Sequence, residues 1–332
     1  MKINTKIILI FLTVAVLTAT VCYLFLFFHK SQSAIQKVTD NKSLNISEKK
    51  YIQLLFVGDL MFDRGIRYYA KENNGNDFIF DKISSTLLAN DIVVANLEGP
   101  ITDNKSVSSG TVPGSTDNYF FTFDPSLAKT LFSENIRIVN LGNNHILNFG
   151  QNGAYSTEKY LNDAKVKYFG APNGSKSIST EIGGIKITFV SYNEFSNLPE
   201  GTEQKSTMDE IQKATLRRAQ GENDIIIVFS HWGTEYSLAP SDNLKNTAHS
   251  FIDAGADLVI GSHQHVVEPM EVYNNKRIYY SLGNFIFDQY FNENVRNGLG
   301  VQVVIDKITK KLDFQEKHFY LDSNGQTVEN KQ

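Results

Sequence analysis

Short apolar runs recur along the chain, and each gives way at its carboxyl end to polar residues that include a potential metal ligand. The run at 54–57 leads to Gly58-Asp59, that at 92–95 to Asn96-Leu-Glu98, and that at 136–139 to Gly142-Asn-Asn144-His145. The run at 225–229 leads to Ser230-His231, and that at 256–260 to Gly261-Ser-His263-Gln-His265. Continuous apolar runs of this length read as strands buried on both faces of a parallel sheet. Ligands of open α/β sheets gather beyond the carboxyl ends of such strands. If the runs share a rim, Asp59, Glu98, Asn144, His145, His231, His263 and His265 meet there.

Helix signals separate the runs, as a layered α/β arrangement requires. Asp124-Pro125 predicts an N-cap with proline at the first helical position. Ser241 opens a helix with Leu244, Ala248, Phe251 and Ile252 on one face and Gly255 at its end. Thr207-Met-Asp-Glu210 reads as a capping box for a helix running toward Gln220. Segments 277–282, 299–305 and 311–320 predict strands pairing antiparallel in a second sheet. Residues 102–118, rich in Ser, Gly, Asn and Asp, predict a long surface loop directly after Glu98, either a substrate lid or surface decoration.

The amino terminus changes the picture. No residue between 7 and 28 is charged, and about twenty apolar residues match the hydrocarbon thickness of a bilayer. The expectation is a single-pass anchor over 7–28, with a cytoplasmic tail at 1–6 led by Lys2 and Lys6, a polar tether at 29–50, and an extracytoplasmic domain over 51–325. A cleaved signal is the rival reading, since Cys22 behind Ala19-Thr-Val21 partly matches a lipoprotein processing site. Cys22 is the only cysteine, so the domain has no intramolecular disulfide and no thiolate metal site. With 332 residues, 41% of them hydrophobic, the chain can bury a large core. A net charge of −4 offers no basic surface for nucleic acid.

Carboxylate, amide and imidazole donors suit divalent Mn, Fe or Zn. Singly, each residue has a plain structural explanation as a turn former or a hydrogen-bonded histidine. Four of the seven histidines, however, follow apolar runs within a few residues, and the set suits a pair of ions bridged by Asp59 or Glu98.

The order of motifs resembles that of the CapA family, the poly-γ-glutamate capsule biosynthesis proteins. It is carried by Gly58-Asp59-Leu-Met61-Phe-Asp-Arg64, Ala95-Asn-Leu-Glu98-Gly-Pro-Ile101 and Asn143-Asn-His145. His231-Trp-Gly-Thr-Glu-Tyr236, the 255–265 segment and Tyr280-Ser-Leu-Gly-Asn-Phe285 with Phe287-Asp-Gln289 continue it. The family is similar to calcineurin-like metallophosphoesterases, which implies a sandwich of two β-sheets flanked by helices. The resemblance assigns Asp59 and His265 to one metal, Asn144, His231 and His263 to the other, and Glu98 to the bridge. It makes His145 the general acid and Arg64 an anion clamp, with Glu235 and Asn284 orienting ligands. Three departures stand out: Met61 replaces a histidine ligand usual in such enzymes, Glu98 replaces an aspartate, and Asn148 replaces an acidic residue behind His145. The implied role is making or exporting an anionic surface polymer, with a membrane synthase complex as partner. A phosphoester or cell-envelope hydrolase without a capsule role, and a metal-free polymer-binding module, are the other readings.

Overall fold

The computed structural model describes residues 49–330 apart from 173, 223 and 224. The expected tail, anchor and all but the last two residues of the tether lie outside these residues. Among the described residues no helix is long and apolar enough to cross a membrane.

The chain builds one sheet, then a second, and then returns to the first. Strands β1 (Tyr51–Leu60), β2 (Ile92–Leu97), β3 (Ile136–Asn140) and β4 (Lys167–Phe169) lie side by side in parallel. The second sheet has the order β5 (Ser177–Ile182), β6 (Ile185–Asn193), β7 (Ile225–His231), β8 (Leu258–Ser262), then β10 (Lys276–Tyr279) and β9 (Met270–Tyr273) at its edge. β6, β7, β8 and β10 are mutually parallel. Four strands then rejoin the first sheet: β11 (Asn284–Ile286), β12 (Asn297–Asp306), β13 (Leu312–Leu321) and β14 (Thr327–Asn330).

The sheets pack face to face. Ile52, Leu54 and Phe56 of β1 and Val301 and Val303 of β12 meet Ile187 and Phe189 of β6 and Ile227 and Phe229 of β7 in the layer between them. Because strand side chains alternate, Leu55 and Val57 point the other way. They pack there with α1 (Arg64–Glu72), α2 (Asp77–Phe80), α3 (Ser84–Leu88), α4 (Leu127–Ser133) and α5 (Gly150–Asp163) through residues such as Ile66, Phe80, Leu87, Leu131 and Leu161. The outer face of the second sheet is covered by α6 (Thr202–Ala219) and α7 (Asp242–Asp253) through Ile211, Ala214, Leu244 and Phe251. The result is the expected mixed α/β architecture of two sheets between helices.

Three local expectations change. Strands β12 and β13 do pair antiparallel with each other, but β12 docks on β1, Tyr51 opposite Asp306 and Phe56 opposite Val301, so both belong to the first sheet. Their alternating pattern would have suited an edge of either sheet. Residues 207–210 are no capping box: α6 starts five residues earlier, and the Thr207 hydroxyl donates to the Ser191 carbonyl of β6. Helix α4 starts after Ser126 because Asp124 turns back to accept from the Ser126 backbone N–H and hydroxyl. Ser241 caps α7 as expected, its hydroxyl accepting from Leu244 N–H at 3.2 Å.

Candidate metal centre

At one end of the layer between the sheets the side chains turn polar. On β2, Val94 faces the second sheet, so alternation places Asn96 and Glu98 on the same side; on β3, Ile138 and Asn140 follow the same rule. On β1 strict alternation would direct Asp59 to the helix side. The register of β1 against β2 shifts between Phe56 and Asp59, and such an irregularity re-aims the following side chain. Asp59 Oδ1 accepts from Asn96 Nδ2 at 2.8 Å, and Oδ2 accepts from the His263 backbone N–H at 3.1 Å. Gly58 permits this packing: a Cβ there would lie 1.8 Å from the Gly283 carbonyl oxygen.

His231 ends β7. Its Nδ1 lies 3.1 Å from Ser262 Oγ, whose own proton goes to the Ser230 carbonyl, and 3.2 Å from Asn96 Nδ2, so these two residues hold that edge of the ring. The Nε2 edge faces Asn144 Oδ1 at 2.9 Å and His263 Nδ1 at 3.1 Å. His263 and His265 follow β8 in a turn where both have left-handed backbone, with φ of 99° and 59°. The turn presents both rings to the same rim. Asn284 orients His265: its Nδ2 donates to Gln289 Oε1 and the Val295 carbonyl, so Oδ1 is left to accept from His265 Nδ1 at 2.9 Å. His265 Nε2 then points toward Glu98, 3.7 Å from Oε1.

Two clusters result. Asp59, Glu98 and His265 bring one ligand atom each within 4.8 Å of one another, and so do Glu98, His231 and His263. Glu98 belongs to both, and Asn144 adjoins the second through His231. Glu98 is fully buried, and among the described residues neither carboxylate oxygen has a hydrogen-bond partner. An unpartnered buried carboxylate costs several kcal/mol unless a cation or proton satisfies it. Burial first, then the charges of Asp59 and Glu235, hold its pKa well above the ordinary carboxylate value. Burial also pushes His263 down to about 3 and His231 well below normal, so both rings are neutral, as ligation requires. Lone-pair donors around an orphaned buried carboxylate fit divalent cations.

His145 stands beside the clusters, with Nε2 3.9 Å from Glu98 Oε1. Burial lowers its pKa to about 4, against a contribution from Asn148 that raises it. Asn148 Oδ1 accepts from the Phe121 backbone N–H and lies 3.1 Å from His145 Nδ1, so it also accepts from that nitrogen. The neutral amide therefore orients the ring where a carboxylate was expected. Arg64 pairs through Nη2 with Asp288, and Nη1 donates to Asn118 Oδ1 at 3.1 Å. Only its Nε lacks a partner. Met61 is buried, and its Sδ accepts from Asp63 N–H at 3.0 Å. Sequence reasoning missed Asn96 and Ser262, which hold Asp59 and His231. The signal for Asn96 was its position two residues before Glu98 on a strand.

The fold and this cluster define a two-sheet α/β protein with a metal-competent strand-end centre. Residues 53–289 match the family described as bacterial capsule synthesis protein PGA_cap, and the chain belongs to that family. It is 32% identical over 244 residues to the PGA biosynthesis protein CapA of Bacillus subtilis (strain 168), covering 70% of this chain and 63% of that protein. It is 27% identical over 281 residues to the capsule biosynthesis protein CapA of Bacillus anthracis, covering 80% of this chain and 67% of that one. Among solved structures, the 5'-nucleotidase from Candida albicans SC5314 superposes with a TM-score of 0.48 and 14% identity, over 82% of this chain and 52% of that one.

Proposed function

We propose that this protein serves the synthesis or export of poly-γ-glutamate, an anionic surface polymer, through a two-metal centre bridged by Glu98. The observation that carries the reading is the Glu98 carboxylate, buried without a hydrogen-bond partner among the described residues and common to both ligand clusters. Asp59 and His265 would hold one cation, and Asn144, His231 and His263 the other. Divalent Mn, Fe or Zn there would polarise a carbonyl or phosphoryl oxygen of the substrate. Asn284 and Ser262 fix which nitrogen of His265 and of His231 faces the ions. His145, oriented by Asn148, holds its Nε2 toward the reacting region and is the group that would move a proton there. Arg64, locked to Asp288, positions the wall beside it.

In the same proposal residues 1–6 are a cytoplasmic tail, 7–28 a membrane anchor and 29–50 a tether, so that the domain from Tyr51 onward works outside the cytoplasm beside a membrane synthase complex. Family membership and the relatives' names support the polymer assignment. The test is genetic. Deleting the gene should abolish surface poly-γ-glutamate, the wild-type gene should restore it, and Glu98→Ala or His263→Ala, expressed at equal level, should not. Normal polymer in the deletion strain would exclude the capsule role and favour a hydrolase of other envelope substrates. Restoration by both variants would remove the metal centre from the account.

A further inference from the structure

A cleft of about 720 Å³ opens beside the centre. Its lining includes Tyr68, Tyr236 and Phe291, the last two with their rings edge to face at 5.5 Å. Tyr68 is 57% exposed and Phe291 66%, so large apolar surface faces solvent here without a cover. The predicted long loop adds Ser108, Ser109, Thr111 and neighbouring glycines to the lining.

The charge of the cleft is closed. Arg64 and Asp288 are its only charged lining residues among those described, and they pair with each other. Two polar atoms of lining residues are buried yet unpartnered: Arg64 Nε and the hydroxyl of Ser108, a residue only 1% exposed. Buried polar groups are almost always hydrogen-bonded; both atoms are closed off from solvent, so each would meet a ligand oxygen only after a small side-chain shift. The cleft also joins the centre. Gln289, a lining residue, donates to Tyr236 Oη at 3.2 Å and accepts from Asn284, the residue that orients His265.

The geometry points to a saccharide-binding cleft that takes an uncharged, hydroxylated sugar ring beside the metal centre. Aromatic faces suit the C–H faces of such a ring while their phenolic edges and the small hydroxyls meet its oxygens. A chain with a carboxylate on every residue finds no free cation among the described lining residues of the cleft itself, and burying charges unpaired is costly. The inference goes beyond the polymer reading and stands on the cleft alone.

The test is calorimetric titration of the full-length protein in a sugar-free detergent with chitotetraose, maltotetraose and a γ-linked glutamate tetramer. At least one saccharide should bind, and Tyr68→Ala and Phe291→Ala, both at exposed positions, should each weaken it by about fivefold or more. Binding should persist in the His263→Ala, His265→Ala double variant, so that failure of the metal reading and failure of this one are separable. Absence of binding by both saccharides, binding unaffected by either variant, or a glutamate tetramer that the same variants weaken would overturn the assignment.

Discussion

Glu98 is a buried carboxylate without a hydrogen-bond partner among the described residues, and the surrounding residues are polar in a way a plain core would not need. Asn96, Asn140, Ser191 and Ser262 bind one another or the ligands around it. Such a network is tolerable only when every member is satisfied. A second buried acid lies under the His263–His265 turn. Glu268 accepts from Gln264 Nε2 at 3.0 Å, and burial raises its pKa from 4.5 to about 7. The folded protein therefore keeps a proton on Glu268 that the unfolded chain has lost between those values. Stability from this group is full below pH 4.5 and is lost as pH rises through 7. Glu268→Gln should thus be more stable than wild type by about 1–3 kcal/mol at pH 8, with nearly no difference at pH 4. Urea denaturation at both pH values checks this, and an equal gain at both would show that burial of the acid is not the cause.

At the scale of elements, most of the site could be read because each ligand sits just past a parallel strand, and a strand buried on both faces announces itself as an apolar run. The register shift that turns Asp59 inward was not legible, since it arises from β1 meeting β2 rather than from either strand alone. The membership of β12 and β13 was hidden for a related reason: alternation gives the buried face of a strand but not which sheet covers it. The Ser/Thr-x-x-Glu pattern at 207–210 misled because it is local, and tertiary contact with β6 decides where α6 begins. Backbone strain at the β8 turn was equally invisible. With φ of 99°, His263 occupies a conformation that side chains with a Cβ resist. His263→Gly and His263→Ala should remove the ligand alike, yet the metal-free glycine variant should be more stable than the alanine one by about 1 kcal/mol. Thermal melts in chelator decide it, and an alanine variant as stable as the glycine one would show that the turn is not strained.

The whole molecule brings two sheets together so that strands from both, β1 and β2 on one side and β7 and β8 on the other, end at the same rim. Neither sheet alone holds a complete ligand set, so the centre also reports that the sandwich has closed. The proposed topology places this domain outside the membrane. Protease added to intact spheroplasts should remove everything beyond about residue 31 and leave a short membrane fragment, whereas protection of the full chain would refute that placement. The Glu98-bridged pair of ions is open to anomalous X-ray scattering from crystals of the metal-reconstituted protein. Two peaks should lie about 3.5–4 Å apart, one on each side of Glu98, both lost in a folded Glu98→Ala variant. A wild-type crystal with no peak at this rim, or with peaks unchanged in Glu98→Ala, would contradict it.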